Sequence, residues 1–380
     1  MNYTIYIRTL KRAEHTVFCV TKKDKTTTQK FYYDSQFNRS IPFSSGQQVK
    51  RSILEAVCEY LNTAPSPITF ISQIAKKKLK EAEVYATCDP TYVDQLFGGW
   101  MKAEKKQQDA KANKRSKKKD PEDDDNQEDD NNKGKVLKRR SPLSISAMRG
   151  LHPLLAGLSS EDISFDRSDR PNTEVIIRDE DGSILKDKEL SDFLEGNDRS
   201  LSRKWIQDNS RATGLFVSDI AIDLRRLFCV SVNQFEPEMS NETIKKLQAE
   251  GWIASKNVFG DCLVAPKALR EAWIEALAKA IVNWRITSNQ SRTFSLMDTL
   301  AISIGDNANL IAGSIRAKLS EEDSNKAVPI IDENLSNVET FVTLQAGGYI
   351  ATTKEQANAL EKAEKKLIEL MMAFDYENQK

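Results

Sequence analysis

A long charged segment in the first half of the 380-residue chain limits which folds are open to it. Residues 102–140 contain almost no apolar side chains, and their charge runs from basic (Lys111–Lys119) through acidic (Asp120–Asp130) to basic again (Lys133–Arg140). Such a segment buries too little apolar surface to offset the conformational entropy that folding removes. We therefore predict a flexible charged insertion at 102–140 within one folded unit that comprises residues 1–101 and 141–380.

The role of this insertion stays open on charge pattern alone. Its two basic ends could flank a binding groove, or its acidic centre could neutralise them within the same segment. Both interpretations fit the order of charges equally well.

Composition indicates a globular protein without a general affinity for anions. Hydrophobic residues make up 39% of the chain, enough for one large domain or two ordinary ones. The 56 Lys and Arg balance the 56 Asp and Glu, so any basic surface must be local. Five widely spaced cysteines indicate reduced thiols rather than a disulfide framework or a zinc site.

The first 15 residues lack a basic region followed by an apolar run, so we expect no signal peptide. No apolar run approaches the roughly 18 residues that cross a bilayer. We expect a cytoplasmic protein with no membrane partner.

A helix is predicted from Gly46 to Tyr60. Ser44 or Ser45 can cap it, because a glutamine three residues later completes a capping-box pattern. Apolar residues then recur at i, i+4 spacing, as expected of a buried stripe: Val49, Ile53, Val57 and Leu61. Gln47, Lys50 and Arg51 share the opposite face, which we predict to point outward.

Two adjacent cations in the first turns of this helix suggest an anion. The helix macrodipole disfavours cations at an N-terminus, whereas a bound phosphate would make Lys50 and Arg51 favourable there. The Gly46 backbone and the free first-turn N–H groups would join them. The alternative is that both are ordinary solvated charges on a polar helix face.

Strands and helices alternate without a regular βαβ period, which favours an α+β fold. Strands are predicted at Tyr3–Arg8, His15–Val20, Gly214–Asp223 and Leu227–Val232. Further helices are predicted at Ser72–Val84, after Ser240, at Ala265–Trp284 and at Thr353–Tyr376. Polar residues 186–209 indicate an exposed loop or protrusion.

The sequence offers little for catalysis. Only His15 and His152 are present, and the nucleotide-hydrolysis, dinucleotide-binding and serine-hydrolase motifs are absent. Asp166, Asp169 or Asp223 could serve a metal-dependent nuclease, although aspartates in turns are usually turn formers. We expect no catalytic residue, no metal and no cofactor.

Binding chemistry is better supplied. Cations recur in or beside predicted ordered segments at Lys50, Arg51, Arg139, Arg140, Arg149, Arg225, Arg226 and Arg292. Phe43, Trp100 and Phe294 could stack on unpaired bases. Taken one at a time, each cation is more often a surface charge and each aromatic a packed side chain.

Four short motifs, taken in order, resemble one known family. They are SGQQVKR at Ser45–Arg51, LFGG at Leu96–Gly99, KRRSPLSIS at Lys138–Ser146 and NQSRTFSLMD at Asn289–Asp298. Their order is similar to that in the Cas-seven family of the DevR and Cst-two-like kind. Members of this family form the backbone of type I CRISPR surveillance complexes, here I-B-like. The resemblance covers most of the chain except the charged insertion.

The resemblance implies an RRM/ferredoxin-like palm with inserted finger regions and a thumb hairpin at about 160–210. It implies a subunit for antiviral defence that polymerises along the crRNA of a Cascade complex. The implied partners are crRNA, target DNA paired with the guide, further copies of the chain, and Cas-five-like, Cas-six-like and large subunits.

Carried over to this sequence, the resemblance implies that Ser45, Gly46, Gln47, Lys50 and Arg51 hold guide phosphates. It implies the same for Arg292, and places Arg139, Arg140 and Arg149 near the groove. Two rival interpretations stay open. One is a type III-like backbone subunit with metal-dependent cleavage of target RNA, and the other is a stand-alone single-stranded RNA-binding regulator.

Overall fold

The computed structural model describes residues 3–23, 26–75, 78–103, 136–166, 176, 178, 180–184, 203–286, 295–332 and 334–379. Within them are seven α-helices: α1 (Gly46–Leu61), α2 (Val93–Gly98), α3 (Leu224–Leu227), α4 (Asn241–Ala249), α5 (Lys267–Asn283), α6 (Ala308–Ser314) and α7 (Ala359–Met372). The first strands are β1 (Thr4–Thr16), β2 (Val20–Lys23), β3 (Thr26–Gln29), β4 (Phe31–Asp34), β5 (Arg39–Pro42), β6 (Ile68–Ala75), β7 (Lys78–Ala86), β8 (Trp100–Ala103), β9 (Val136–Arg139) and β10 (Leu143–Ile145). The later strands are β11 (Arg149–Gly150), β12 (Ala156–Asp166), β13 (Arg203–Asp223), β14 (Cys229–Ser231), β15 (Ile253–Asn257), β16 (Gly260–Val264), β17 (Thr299–Gly305), β18 (Ile315–Leu319), β19 (Ala327–Ile331) and β20 (Val338–Val342).

A seven-stranded antiparallel sheet organises the fold, with the order β10-β13-β1-β17-β20 and with β11 and β12 also paired to β13. Because β1 and β10 are both antiparallel to β13, they run parallel to each other. The chain joins these two strands through α1, and it joins β13 to β17 through α5. The fold is therefore a mixed α and β structure, as the α+β prediction requires.

The two long helices pack on one face of this sheet. Ile5 and Ile7 of β1 lie in the same buried cluster as Val49 and Ile53 of α1 and Leu277 of α5. Side chains alternate along a strand, so the neighbouring positions of β1 face the other way. Part of that second face is covered by a smaller cluster that includes Leu10, Val217 and Ile315.

Helix α1 confirms its prediction, since it spans Gly46–Leu61 and the Ser45 side chain accepts a hydrogen bond from the Gln48 amide at 3.3 Å. Helix α4 is capped by Ser240 as predicted. Helix α5 lies within the range predicted for it. Trp273, Leu277 and Ile281 are buried at successive turns, whereas Leu269, one turn earlier, is 41% exposed.

The helix predicted at Ser72–Val84 is wrong. Strands β6 and β7 pair there as an antiparallel hairpin. In a two-stranded ribbon both faces contact solvent, so polar side chains do not distinguish such strands from an exposed helix. The signal for strands was the run of β-branched and aromatic residues at Ile68–Ile71.

Both ends of the predicted flexible insertion are paired strand. Strands β8 and β9 pair from Trp100 opposite Arg139 to Ala103 opposite Val136, so the chain is ordered up to these residues. Leu137 and Arg139 are buried between exposed neighbours, which is the alternation of a half-buried strand. The rest of the predicted insertion, 104–135, lies outside the described residues.

Strands β12 and β13 form an arm that continues past the sheet. Strand β13 has 21 residues and spans about 70 Å at 3.4 Å per residue. Its pairing with β1 ends at Ala212, whereas its pairing with β12 continues to Asp166 opposite Arg203. This arm falls in the region predicted to protrude, of which residues 167–175, 177, 179 and 185–202 lie outside the described part.

Among the described helices, none is both long and apolar enough to cross a membrane.

Candidate nucleic-acid interface

Three segments that are distant in sequence meet at the start of α1. The Lys50 ammonium donates to the carbonyl oxygen of Gly98 at 2.6 Å, and the Ser141 hydroxyl donates to that of Phe97 at 2.8 Å. Gly46 lies against the backbone of Ile145. We call the surface formed by residues 44–51, 96–99 and 139–146 the α1 junction. It joins three of the four motifs found in the sequence.

Glycine is required at two points of the α1 junction. A Cβ atom on Gly46 would lie 2.7 Å from the Ile145 carbonyl oxygen, closer than real Cβ contacts allow. Gly99 has a φ of +70°, and a Cβ atom there would lie 2.6 Å from the Arg139 carbonyl oxygen. The glycines therefore let the three segments approach closely enough to form one surface.

The first turn of α1 leaves donors for a ligand. Ser45 caps the amide of Gln48, and the amide of Ser45 donates to the Cys19 sulfur at 3.2 Å. The amides of Gly46 and Gln47 make no hydrogen bond with other described residues. Two N–H groups at a helix N-terminus, without a negative side chain in the first turn, form a favourable environment for an anion.

The two cations of α1 differ in exposure, contrary to the predicted common outward face. The Arg51 side chain is 68% exposed and pairs with Glu55 at 2.6 Å. Lys50 is half-buried against Gly98, and this burial lowers the pKa of its ammonium group. Arg51 is thus the freely accessible cation, while Lys50 also fastens α1 to the end of α2.

Arg139 is a buried arginine that hydrogen-bonds to internal acceptors, which its position in the sequence did not indicate. It is 3% exposed, and its guanidinium donates to the Glu238 carboxylate at 3.0 Å. It also donates to the main-chain carbonyls of Leu96, Arg226 and Cys229. These four internal acceptors occupy most of its five donors. The structure therefore places Arg139 in the interior, which contradicts its predicted place on an RNA surface.

The remaining predicted cations are placed differently. Arg140 is exposed and makes no hydrogen bond or ion pair with the described residues. Arg149 is partly exposed and lies 3.2 Å from Asp219, a carboxylate that also holds the buried Arg8 at 2.6 Å. Arg292 lies outside the described residues. Among the predicted cations that the structure describes, Arg140 is therefore the one without a hydrogen-bond or ion-pair partner.

A cavity of about 280 Å³ adjoins the α1 junction at Ser141 and Ser144. Arg225, Arg226 and Phe259 line it together with Arg140. The sequence marked the two arginines as cations but gave no reason to associate them with Phe259, which lies more than 30 residues later. Only the turn between β15 and β16 brings this ring to the cavity.

The residues considered for catalysis have other contacts where their side chains are described. Asp223 caps α3 and pairs with Arg225 at 3.0 Å. His152 packs edge-on against Phe37, and its Nδ1 accepts from the Leu154 amide, as expected of a packing histidine. Burial lowers the pKa of His152. Among the described residues, no cluster of three or more His, Cys, Asp or Glu could hold a metal ion.

No family model matches this sequence, and no curated protein matches it. Solved structures with a distant likeness to this chain include the following two. One, described as a CRISPR RNA-guided surveillance complex, is 10% identical at a TM-score of 0.38 and covers 96% of this chain and 99% of its own. The other, a CRISPR RNA-guided surveillance complex, pre-nicking, is 8% identical at a TM-score of 0.37 and covers 97% of this chain and 89% of its own. Likeness at this level does not establish a family.

Proposed function

We propose that this protein is a crRNA-binding backbone subunit that polymerises along the guide RNA of a type I CRISPR Cascade complex. The observation that carries this proposal is the α1 junction. It brings the Ser45–Arg51, Leu96–Gly99 and Lys138–Ser146 motifs into direct contact, with Lys50 bonded to Gly98 and Gly46 against Ile145.

The chemistry of the α1 junction suits a phosphodiester backbone. Open amides of Gly46 and Gln47 lie at the helix start, with Arg51 and Arg140 exposed on neighbouring segments. Contacts of this kind hold a strand without reading its sequence, which leaves the bases free to pair with a target. With no net charge on the chain, a local basic surface must supply the attraction to RNA.

The topology supports the same role. The path β1-α1-β10-β13-α5-β17 with sheet order β10-β13-β1-β17 follows the β-α-β-β-α-β order, which supports the proposal of an RRM/ferredoxin-like palm. We propose that the β12–β13 arm is the thumb and reaches the next copy along the guide. Contacts of this head-to-tail kind generate an open helix of subunits.

Co-purification tests the function directly. The tagged chain would be expressed with its genomic neighbours, and the RNA in the purified particle would be sequenced. We expect uniform RNA derived from a CRISPR repeat in a particle that also holds Cas-five-like, Cas-six-like and large subunits. An RNA-free monomer, or RNA of mixed origin, would contradict the proposal.

The α1 junction is tested in the same particle by Arg51→Gln. Because Arg51 is exposed and its only described ion pair is with Glu55, the fold should persist while RNA content falls. Lys267→Gln is the matched control, since Lys267 is an exposed cation paired with Glu271 on α5. Equal RNA yields from both variants would remove Arg51 from the site.

Adding Mg²⁺ and complementary RNA to the particle distinguishes a nuclease from a purely RNA-binding subunit. We expect the target to remain intact. Regular cuts that disappear in Asp166→Ala would replace a purely binding role by a type III-like one. A stand-alone regulator would instead be purified with RNA but without the other subunits, and would form no ordered filament on the RNA.

A further inference from the structure

The cavity beside the α1 junction has features of a second binding site. It lies on the sheet face opposite α1 and α5, where Tyr6 of β1, Ala221 of β13 and Ser144 of β10 stand in one cross-strand row. The short helix α3 begins directly after β13 and brings Arg225 and Arg226 to its mouth.

Positive charge dominates this cavity. Arg140, Arg225 and Arg226 line it, and Asp223 is the only carboxylate among its described lining residues. Asp223 receives Arg225 at 3.0 Å and approaches Arg226 at 3.7 Å. One carboxylate thus offsets two guanidinium groups, while Arg140 has no ion-pair partner among the described residues. The cavity keeps a surplus of positive charge that an anion would balance.

An aromatic ring accompanies this charge. The Arg226 guanidinium carbon lies 3.6 Å from the centroid of the Phe259 ring, and that of Arg225 lies 5.1 Å away. Phe259 is nevertheless 42% exposed. Guanidinium groups stacked on an aromatic ring are held in place while they keep donors for a phosphate. An exposed ring beside them offers a surface for a base.

The cavity continues towards the α1 junction. Tyr6, Ser144 and Ala221 are shared with a neighbouring cavity of about 400 Å³. That second cavity reaches Ile145 and Ser146, whose backbone lies against Gly46. A ligand at the arginines could therefore extend to the start of α1, which favours a polymer over a free small anion.

We propose that Arg140, Arg225, Arg226 and Phe259, together called the arginine pocket, bind one phosphate and one stacked base of a single-stranded RNA. The identity of the strand as RNA rests on the proposed function. The arginine pocket extends the contact surface from the α1 junction onto the open face of the sheet.

Fluorescence anisotropy with a labelled 12-nucleotide single-stranded RNA tests this site on the full chain over a range of KCl concentrations. Arg140→Gln should weaken binding about three- to tenfold and reduce the slope of log affinity against log salt by about 0.7, the value for one lost phosphate contact. Phe259→Ala should weaken binding about fivefold or more without changing the slope, because base stacking carries no net charge. Lys267→Gln should leave both quantities unchanged.

The outcomes distinguish the two proposals. If Arg51→Gln weakens binding while Arg140→Gln and Phe259→Ala behave like the unchanged chain, the arginine pocket is overturned and the α1 junction stands. If the chain binds no RNA, both are overturned. Cross-linking with 4-thiouridine RNA gives an independent readout of position. An adduct on the peptide that contains Phe259 supports the site, and adducts confined to other peptides contradict it.

Discussion

Burial separates residues that the sequence presents as equivalent. Arg139 and Arg140 are neighbours at the end of β9, yet one is fixed inside by Glu238 and the other is exposed. The strand alternates its side chains between two sides, so adjacent positions have opposite environments. A buried ion pair cannot lose one partner without leaving the other charge unpaired and desolvated.

Arg139→Met is therefore expected to lower the free energy of unfolding by about 3–5 kcal/mol, because the Glu238 carboxylate stays buried without its partner. Arg140→Met, at the adjacent exposed position, should change it by less than about 0.5 kcal/mol. Urea denaturation of both variants measures the difference. Similar losses in the two would show that Arg139 is not held as described.

Lys11 provides a pH prediction. It is fully buried, with its ammonium 2.8 Å from the Thr299 hydroxyl and 4.8 Å from the Trp284 ring centroid. Burial, with a smaller contribution from Arg285, lowers the pKa of Lys11 to about 7. Between this value and the unfolded pKa near 10.5, the unfolded chain binds more protons than the folded one.

The stability of the protein should consequently rise with pH from about 7 to 10 through this group, by up to about 1.4 kcal/mol per pH unit. Lys11→Met removes the titrating group. Urea denaturation across this range should show that the free energy of unfolding of the unchanged chain rises with pH relative to that of Lys11→Met. A difference that is constant with pH would show that Lys11 titrates normally.

At the scale of elements, the position of α1 is set by its contact with the end of β10. The helix packs its apolar stripe on the sheet, but its first turn is fixed by the approach of Gly46 to Ile145 and by the Lys50 bond to Gly98. These contacts define the α1 junction. A change that moves the first turn should alter stability and RNA binding together.

Gly46→Ala is expected to lower the free energy of unfolding by about 1–3 kcal/mol, because the new methyl group would overlap the Ile145 carbonyl. It should also weaken RNA binding. Gly157→Ala is the control, since a Cβ atom there meets nothing within 4 Å. Thermal or urea denaturation checks the first effect and anisotropy the second. A stable Gly46→Ala variant with full RNA affinity would refute the proposed close approach.

At the scale of the whole molecule, one sheet unites chain segments from both sides of the charged segment. Strand β1 precedes it, and β10 and β13 follow it and pair in the same sheet. The β8–β9 ladder brings Ala103 opposite Val136, so the two ends of the charged segment are adjacent. The main sheet thus contains strands from both sides of this segment, whose ends meet at the β8–β9 ladder.

Replacing residues 104–135 by Asn-Gly should therefore leave the fold intact. A two-residue turn of this type joins paired antiparallel strands, as Ala103 and Val136 are. We expect a melting temperature within about 2–4 °C of the unchanged chain, equivalent to less than about 1 kcal/mol. A larger drop would show that residues 104–135 contribute to the folded core. The RNA affinity of the same variant shows whether the charges of residues 104–135 contribute to RNA binding.

Local features of this protein follow from short stretches of its sequence. The Ser45 cap of α1, the helix at α5 and the Ser240 cap follow from short-range hydrogen bonding and helix-forming sequence. The failure at Ser72–Val84 has the same origin, because an exposed ribbon carries no one-sided apolar pattern for sequence to show.

The packing of the elements determines which cations face solvent and which distant residues meet. Arg139 is buried because β9 turns it towards Glu238, and Arg140 joins Phe259 because two separate sheets meet at one cavity. Burial and proximity depend on contacts between residues tens to more than a hundred positions apart. Sequence periodicity describes one element at a time, so it identifies the residue types of the site without showing how those elements pack together.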